Sequence, residues 1–117
     1  RRAVYDYYQE KLSSIEQVRF LPEPKDCFSN RWLTCLTVNG KEGLNLEICQ
    51  RMQEDNIEAR PLWKPLHLQP SFRQAEVFSN GISARLFGAG ICLPSGTAMT
   101  ENQLERVVEF IRSTLCS

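Results

Sequence analysis

With 117 residues, 14 basic and 14 acidic side chains and a formal net charge of zero, the chain is sized for one domain with a buried core. The charge balance excludes a general nucleic-acid or membrane-surface binder, which needs a basic excess, and no apolar run reaches membrane-spanning length. The five cysteines, Cys27, Cys35, Cys49, Cys92 and Cys116, include no C-x-x-C pair and only one His accompanies them, so neither a zinc site nor thiol exchange is expected.

Apolar residues at Val4, Tyr8, Leu12 and Ile15 recur at helical spacing, predicting an opening helix with Tyr5 and Tyr7 off its apolar face. Val18-Arg19-Phe20-Leu21 reads as a short strand stopped by Pro22-Glu23-Pro24. Arg31 to Val38 is the clearest strand, with Trp32, Thr34, Leu36 and Val38 on one side and Leu33, Cys35 and Thr37 on the other. After the Asn39-Gly40-Lys41 loop, a helix is predicted over 46–54, capped by Asn45, stapled by Leu44 against Cys49, and buried through Ile48, Cys49 and Met52. Ile57 to Arg60 returns as a strand.

A short helix over 80–87 follows the tract described below, with Ser79 as cap, Ile82 and Leu86 inward, and a positive φ at Gly88 or Gly90 to stop it. Ile91-Cys92-Leu93 is a strand cut by Pro94. Thr100 and Gln103 form a capping box, and Leu104, Val107, Val108, Ile111 and Leu115 make the strongest amphipathic stripe, so the last element is a helix lying on a sheet. The expected fold is α+β: a small, mainly antiparallel sheet of three to four strands with helices on one face. Cys35, Cys49 and Cys92 are read as small buried hydrophobes in a reducing cytosol.

Between these elements, Ile57 to Pro70 gathers the only His, one of two Trp and three of six Pro. Proline fixes φ and removes backbone donors, so the tract is a stiff loop and not a helix or central strand. Arg60 offers a donor fork, Trp63 a ring face, Lys64 a point charge and His67 a donor or acceptor, which together suit an anionic, partly flat ligand. The plain alternative is that Leu62, Trp63, Leu66 and Leu68 cap the core, Arg60 and Lys64 are solvated, and His67 braces the loop. Ser95 and Gly96 either approach a ligand or form a simple turn into the last helix.

The segment NIEARPLWKPLHLQP from Asn56 to Pro70, with Ile91-Cys92-Leu93-Pro94-Ser95-Gly96-Thr97 and Arg31-Trp32-Leu33-Thr34-Cys35, resembles the C-terminal part of the DegT/StrS family of pyridoxal-phosphate-dependent sugar aminotransferases. The likeness covers nearly the whole chain, in order. It implies that residues 1–117 are the small C-terminal domain of such an enzyme, with 1–15 the helix joining it to a large domain absent from this chain. It further implies a cytoplasmic homodimer in which glutamate aminates a nucleotide-linked keto sugar for a surface or secreted polysaccharide. Pyridoxal phosphate then belongs to the parent enzyme, and none is expected on this chain; no catalytic residue is expected here either, because the cofactor's lysine lies in the large domain. Arg60, Trp63, Lys64 and His67 become substrate-side contacts, with Ser95 and Gly96 as a ligand-approach loop. A non-catalytic, ferredoxin-like regulatory domain binding a small effector is the competing reading.

Overall fold

The strongest local signals form as the pattern requires. In the computed structural model, which describes residues 1–116, the capping box closes in both directions: the Thr100 N–H donates to Gln103 Oε1 at 2.9 Å and the Gln103 N–H to Thr100 Oγ1 at 3.3 Å. The helix it starts runs Glu101–Leu115 and buries Leu104, Val107, Val108 and Ile111. At about 1.5–3 kcal/mol for each large aliphatic side chain fully buried, that stripe outweighs any helix propensity in fixing this element.

The elements are α1 (Arg2–Leu12), β1 (Val18–Phe20), β2 (Thr34–Val38), α2 (Leu44–Glu54), β3 (Arg60–Pro61), α3 (Ile82–Ala89), β4 (Gly90–Leu93) and α4 (Glu101–Leu115). Two 3-10 turns, Leu66–Leu68 and Pro70–Phe72, lie in the tract. One sheet has the order β1-β2-β4-β3, antiparallel throughout, as expected of the α+β class. The last strand thus inserts between β2 and β3, which run parallel to each other. A ferredoxin-like unit needs the order β-α-β-β-α-β, whereas from β1 onward this chain reads β-β-α-β-α-β-α.

Alternation along the strands divides the sheet into two faces. Leu36, Val38, Ile91 and Leu93 join Val4, Tyr8, Leu12, Ile48, Met52, Val107, Val108 and Ile111 in a single core, so α1, α2 and α4 cover one face. The register places Cys35, Cys92 and Arg60 in a row on the other face.

Several boundaries differ from those the sequence predicts. The second strand starts at Thr34, because Arg31 takes a left-handed backbone at φ 49° and the Trp32 N–H turns back onto Asn30 Oδ1. The third pairs only at Arg60 and Pro61 instead of from Ile57: the Ile57 N–H still caps α2 through the Met52 carbonyl, and Pro61, lacking an N–H, is tolerated at an edge. The second helix begins at Leu44 after Gly43, which holds φ 78°, so Leu44 is no staple and Asn45 is no cap. Asn45 is instead buried inside the helix, its Nδ2 donating to the carbonyls of Phe87 at 3.0 Å and Gly90 at 3.2 Å.

Tyr5 is also buried, contrary to its position off the apolar stripe. The 21–31 loop wraps a second side of α1. Phe20 packs edge-on to the Tyr5 ring at 5.7 Å, the Arg31 guanidinium lies 3.7 Å over it, and the hydroxyl donates to the Leu21 carbonyl. In α3 the expectation fails in two ways: Ile82 is 46% and Leu86 38% exposed, and the positive φ falls on Gly81 before the helix rather than on Gly88 or Gly90. Ser79 caps no helix end; its Oγ accepts from the Gly81 N–H in a turn.

Candidate functional site

The face opposite the core opens onto a cavity of about 740 Å³. Its floor is the sheet, where Arg60 of β3 sits opposite Cys92 of β4, and Cys92 opposite Cys35 of β2. Its rim is formed by chain ends the strands deliver: Trp32 and Leu33 before β2, Glu58 before β3, Trp63 after it, and Pro94, Ser95 and Gly96 after β4. A neighbouring recess of about 260 Å³ shares Trp32, Leu33 and Trp63 and is bounded by Tyr5, Arg31 and Cys35.

Trp32 and Trp63 stack, with ring centroids 6.0 Å apart and planes inclined by 28°. Each ring is about 60% exposed, 60% for Trp32 and 63% for Trp63. Offset stacking of this kind holds each ring by the other while leaving outer faces free for a flat ligand. Arg60 lies beside them, its Nη2 2.7 Å from Glu58 Oε1, with both side chains about three-quarters exposed, at 76% and 73%. So open a pair contributes little to stability. It can be exchanged for a ligand anion at low cost.

The tract is braced locally, as its prolines require. The Leu68 N–H donates to the Pro65 carbonyl, the Gln69 N–H to that of Leu66, the Phe72 N–H to that of Gln69, and Gln69 Nε2 to that of Lys64. The Trp63 and Lys64 side chains are exposed and His67 is half-buried. Among the described residues the His67 ring makes no hydrogen bond, so this imidazole is not what ties the loop to the core.

Of the residues predicted from sequence, Arg60, Trp63, Ser95 and Gly96 meet at the large cavity, whereas Lys64 and His67 are not among its lining residues. The Ser95 hydroxyl is buried and occupied: it accepts from the Thr34 N–H and donates to the Leu93 carbonyl, each at 2.8 Å. Its position therefore serves the β2–β4 junction, while Gly96 beside it is exposed. Sequence reasoning missed Trp32, Glu58 and Cys92 as cavity residues. The available signal for Trp32 was its turn setting: Asn30 just before it ends regular pairing, so the indole need not follow the strand's inward face.

Across the site's outer edge, Arg2 and Arg31 converge on Glu23. Arg2 Nη1 lies 2.7 Å and Arg31 Nη2 3.8 Å from Glu23 Oε2, which also accepts from the Ser29 N–H. Hydrogen bonding from Arg2, then from the Ser29 backbone, holds the Glu23 carboxyl down at about 2. These contacts pin the 22–31 loop that leads into Trp32.

The model of the DegT/DnrJ/EryC1/StrS aminotransferase family matches residues 1–112. EpsN of Bacillus subtilis (strain 168), whose name describes a pyridoxal phosphate-dependent aminotransferase, is 47% identical over 116 residues, which make up 95% of this chain and 29% of that protein. Among solved structures, the aminotransferase TlmJ from Streptoalloteichus hindustanus superposes with a TM-score of 0.86 at 20% identity, over 98% of this chain and 31% of its own. DesI, solved in the presence of its TDP-sugar product, superposes with a TM-score of 0.79 at 18% identity, over 96% of this chain and 29% of its own. These two likenesses establish the fold. The chain spans less than a third of the length of each of these relatives.

Proposed function

The chain belongs to the DegT/DnrJ/EryC1/StrS aminotransferase family, and from that premise we propose that it is the substrate-side C-terminal domain of a pyridoxal-phosphate-dependent enzyme that moves an amino group from glutamate to a nucleotide-linked keto sugar. In this reading the parent protein is a cytoplasmic homodimer supplying a surface or secreted polysaccharide, and α1 joins the domain to the large one. The observation that supports the role most directly is the open cavity bordered by Arg60 and the Trp32–Trp63 stack.

Pyridoxal phosphate, when bound, supplies the electron sink that amino-group transfer requires. The surroundings of this chain's lysines support a cofactor site outside it. Lys41 is paired with Glu47, Lys11 lies beside Glu10 and the Tyr7 ring, and Lys25 and Lys64 are exposed. In this reading the lysine that holds the cofactor belongs to the large domain.

What these residues do is bind and orient. The Arg60 fork exchanges Glu58 for a phosphate or carboxylate and the exposed faces of the tryptophan stack cover an apolar ring surface, while Lys64 and His67, outside the cavity lining, serve only a ligand that extends past it along the tract. The test uses the full-length protein with pyridoxal phosphate, glutamate and a TDP-linked keto sugar, following the TDP-amino sugar by chromatography. Arg60→Ala and Trp63→Ala should each raise KM for the sugar nucleotide several-fold with cofactor affinity unchanged. Folded full-length protein that forms no amino sugar overturns the reaction; variants that lose cofactor and sugar equally overturn the assigned roles.

A further inference from the structure

Cys35 and Cys92, separated by 57 positions in the chain, face each other across the β2–β4 ladder with their sulfurs 3.6 Å apart. Directly opposed residues of an antiparallel pair have Cα atoms about 4.5 or about 5.5 Å apart, according to their place in the ladder. Either spacing lies within the roughly 4.4–6.8 Å that a disulfide bridges, and the sulfurs are already in contact. The pair is also reachable. It lies on the face opposite the core, with buried Cys92 lining the cavity of about 740 Å³ and half-buried Cys35 the recess of about 260 Å³.

We propose that Cys35 and Cys92 form a reactive dithiol that closes to a cross-strand disulfide on meeting a small-molecule disulfide. The Cys35 thiolate attacks one sulfur of oxidised glutathione, forming a mixed disulfide and expelling one glutathione thiolate. The Cys92 sulfur, giving its proton to solvent, then attacks the Cys35 sulfur and expels the second glutathione thiolate. Two protein thiols are oxidised and one glutathione disulfide is reduced to two thiols. The order of attack follows from access: Cys35 is half-buried whereas Cys92 is buried, and the hydrogen bond shared by the two sulfurs favours the loss of one proton from the pair. Cys49 has no such partner and its burial in the core pushes its thiol up to about 11, while Cys27 and Cys116 are exposed and serve as internal controls. The inference is independent of the transaminase reading.

The test treats purified protein with oxidised glutathione under native conditions and maps the peptides. The expected result is a peptide containing Cys35 linked to one containing Cys92, a loss of two hydrogens from the protein at these positions, no glutathione retained on either, and two fewer titratable thiols from this pair. Cys92→Ser should trap glutathione stably on Cys35. Phenylarsine oxide, which bridges two sulfurs and needs no variant, should protect both cysteines together from alkylation. The proposal is overturned if both stay free while Cys27 and Cys116 are modified, if Cys35 of the unaltered pair retains glutathione, or if the arsenical protects neither.

Discussion

Gly90 and Leu62 approach so closely that a Cβ on Gly90 would stand 2.1 Å from Leu62 Cδ1 and 2.7 Å from the Leu86 carbonyl oxygen. Gly90 has an ordinary extended backbone, with φ −93° and ψ 148°, so glycine is needed here for space and not for conformation. The approach lets the Leu62 N–H donate to the Gly90 carbonyl at 3.2 Å, which carries the β3–β4 pairing into the proline tract. Gly90→Ala should therefore destabilise the protein by about 1–3 kcal/mol through overpacking, seen as a lower urea midpoint. Adding Leu62→Ala should recover only part, because the Leu86 carbonyl is backbone and cannot withdraw; a single variant as stable as the parent would refute the argument.

Asn45 ties α2 to both ends of the α3–β4 corner through the Phe87 and Gly90 carbonyls. Asn45→Ala removes two donors from buried surroundings and should cost about 1–3 kcal/mol. Because α3 contributes no buried side chain of its own, the loss should be local first. Amide hydrogen exchange should accelerate in residues 82–90 well before α4; uniform acceleration across the chain would contradict this.

Glu23 gives a pH dependence of known sign. Its folded carboxyl is held at about 2, below the ordinary value of 4.5, by the Arg2 hydrogen bond first and the Ser29 N–H second. A depressed carboxylate adds stability that is fully present above the unfolded value and is lost as pH falls toward the folded one. Urea midpoints of the parent and Glu23→Gln should therefore differ at neutral pH and converge between pH 4.5 and about 2. A difference that persists undiminished at the acid end would assign the effect to packing.

Trp32 and Trp63 hold one another, so losing either should release both. In the full-length protein Trp32→Ala should lower kcat/KM for the sugar nucleotide about as much as Trp63→Ala, with aromatic pairing contributing about 0.5–1.5 kcal/mol, and the double variant should fall well short of additivity. Strict additivity would mean that the two rings act separately.

Much of this fold was legible along the chain because its signals are local. The α4 stripe and capping box, the alternation of Thr34, Leu36 and Val38, and the prolines of the tract each act within a few residues, and each appears where its periodicity or chemistry requires. The misreadings share one cause. Asn45 looked like a cap, Tyr5 like a ring off the apolar face and Gly90 like a positive-φ helix stop, and in each case a segment distant in sequence decides the role: Phe87 for Asn45, Arg31 for Tyr5, Leu62 for Gly90.

By itself the sequence determined the fold class, the existence of most elements, the rigidity of the proline tract and the family, since all of these are written in residue types at short spacing. Only the tertiary structure decided that β4 inserts between β2 and β3, and from that strand order follow the Cys35–Cys92 contact, the placing of Arg60 beside them and the loop ends that bring Trp32 onto Trp63. The physical reason is that strand register is set by burying one whole face against three helices at once, a condition distributed over the chain that no window of neighbouring residues contains.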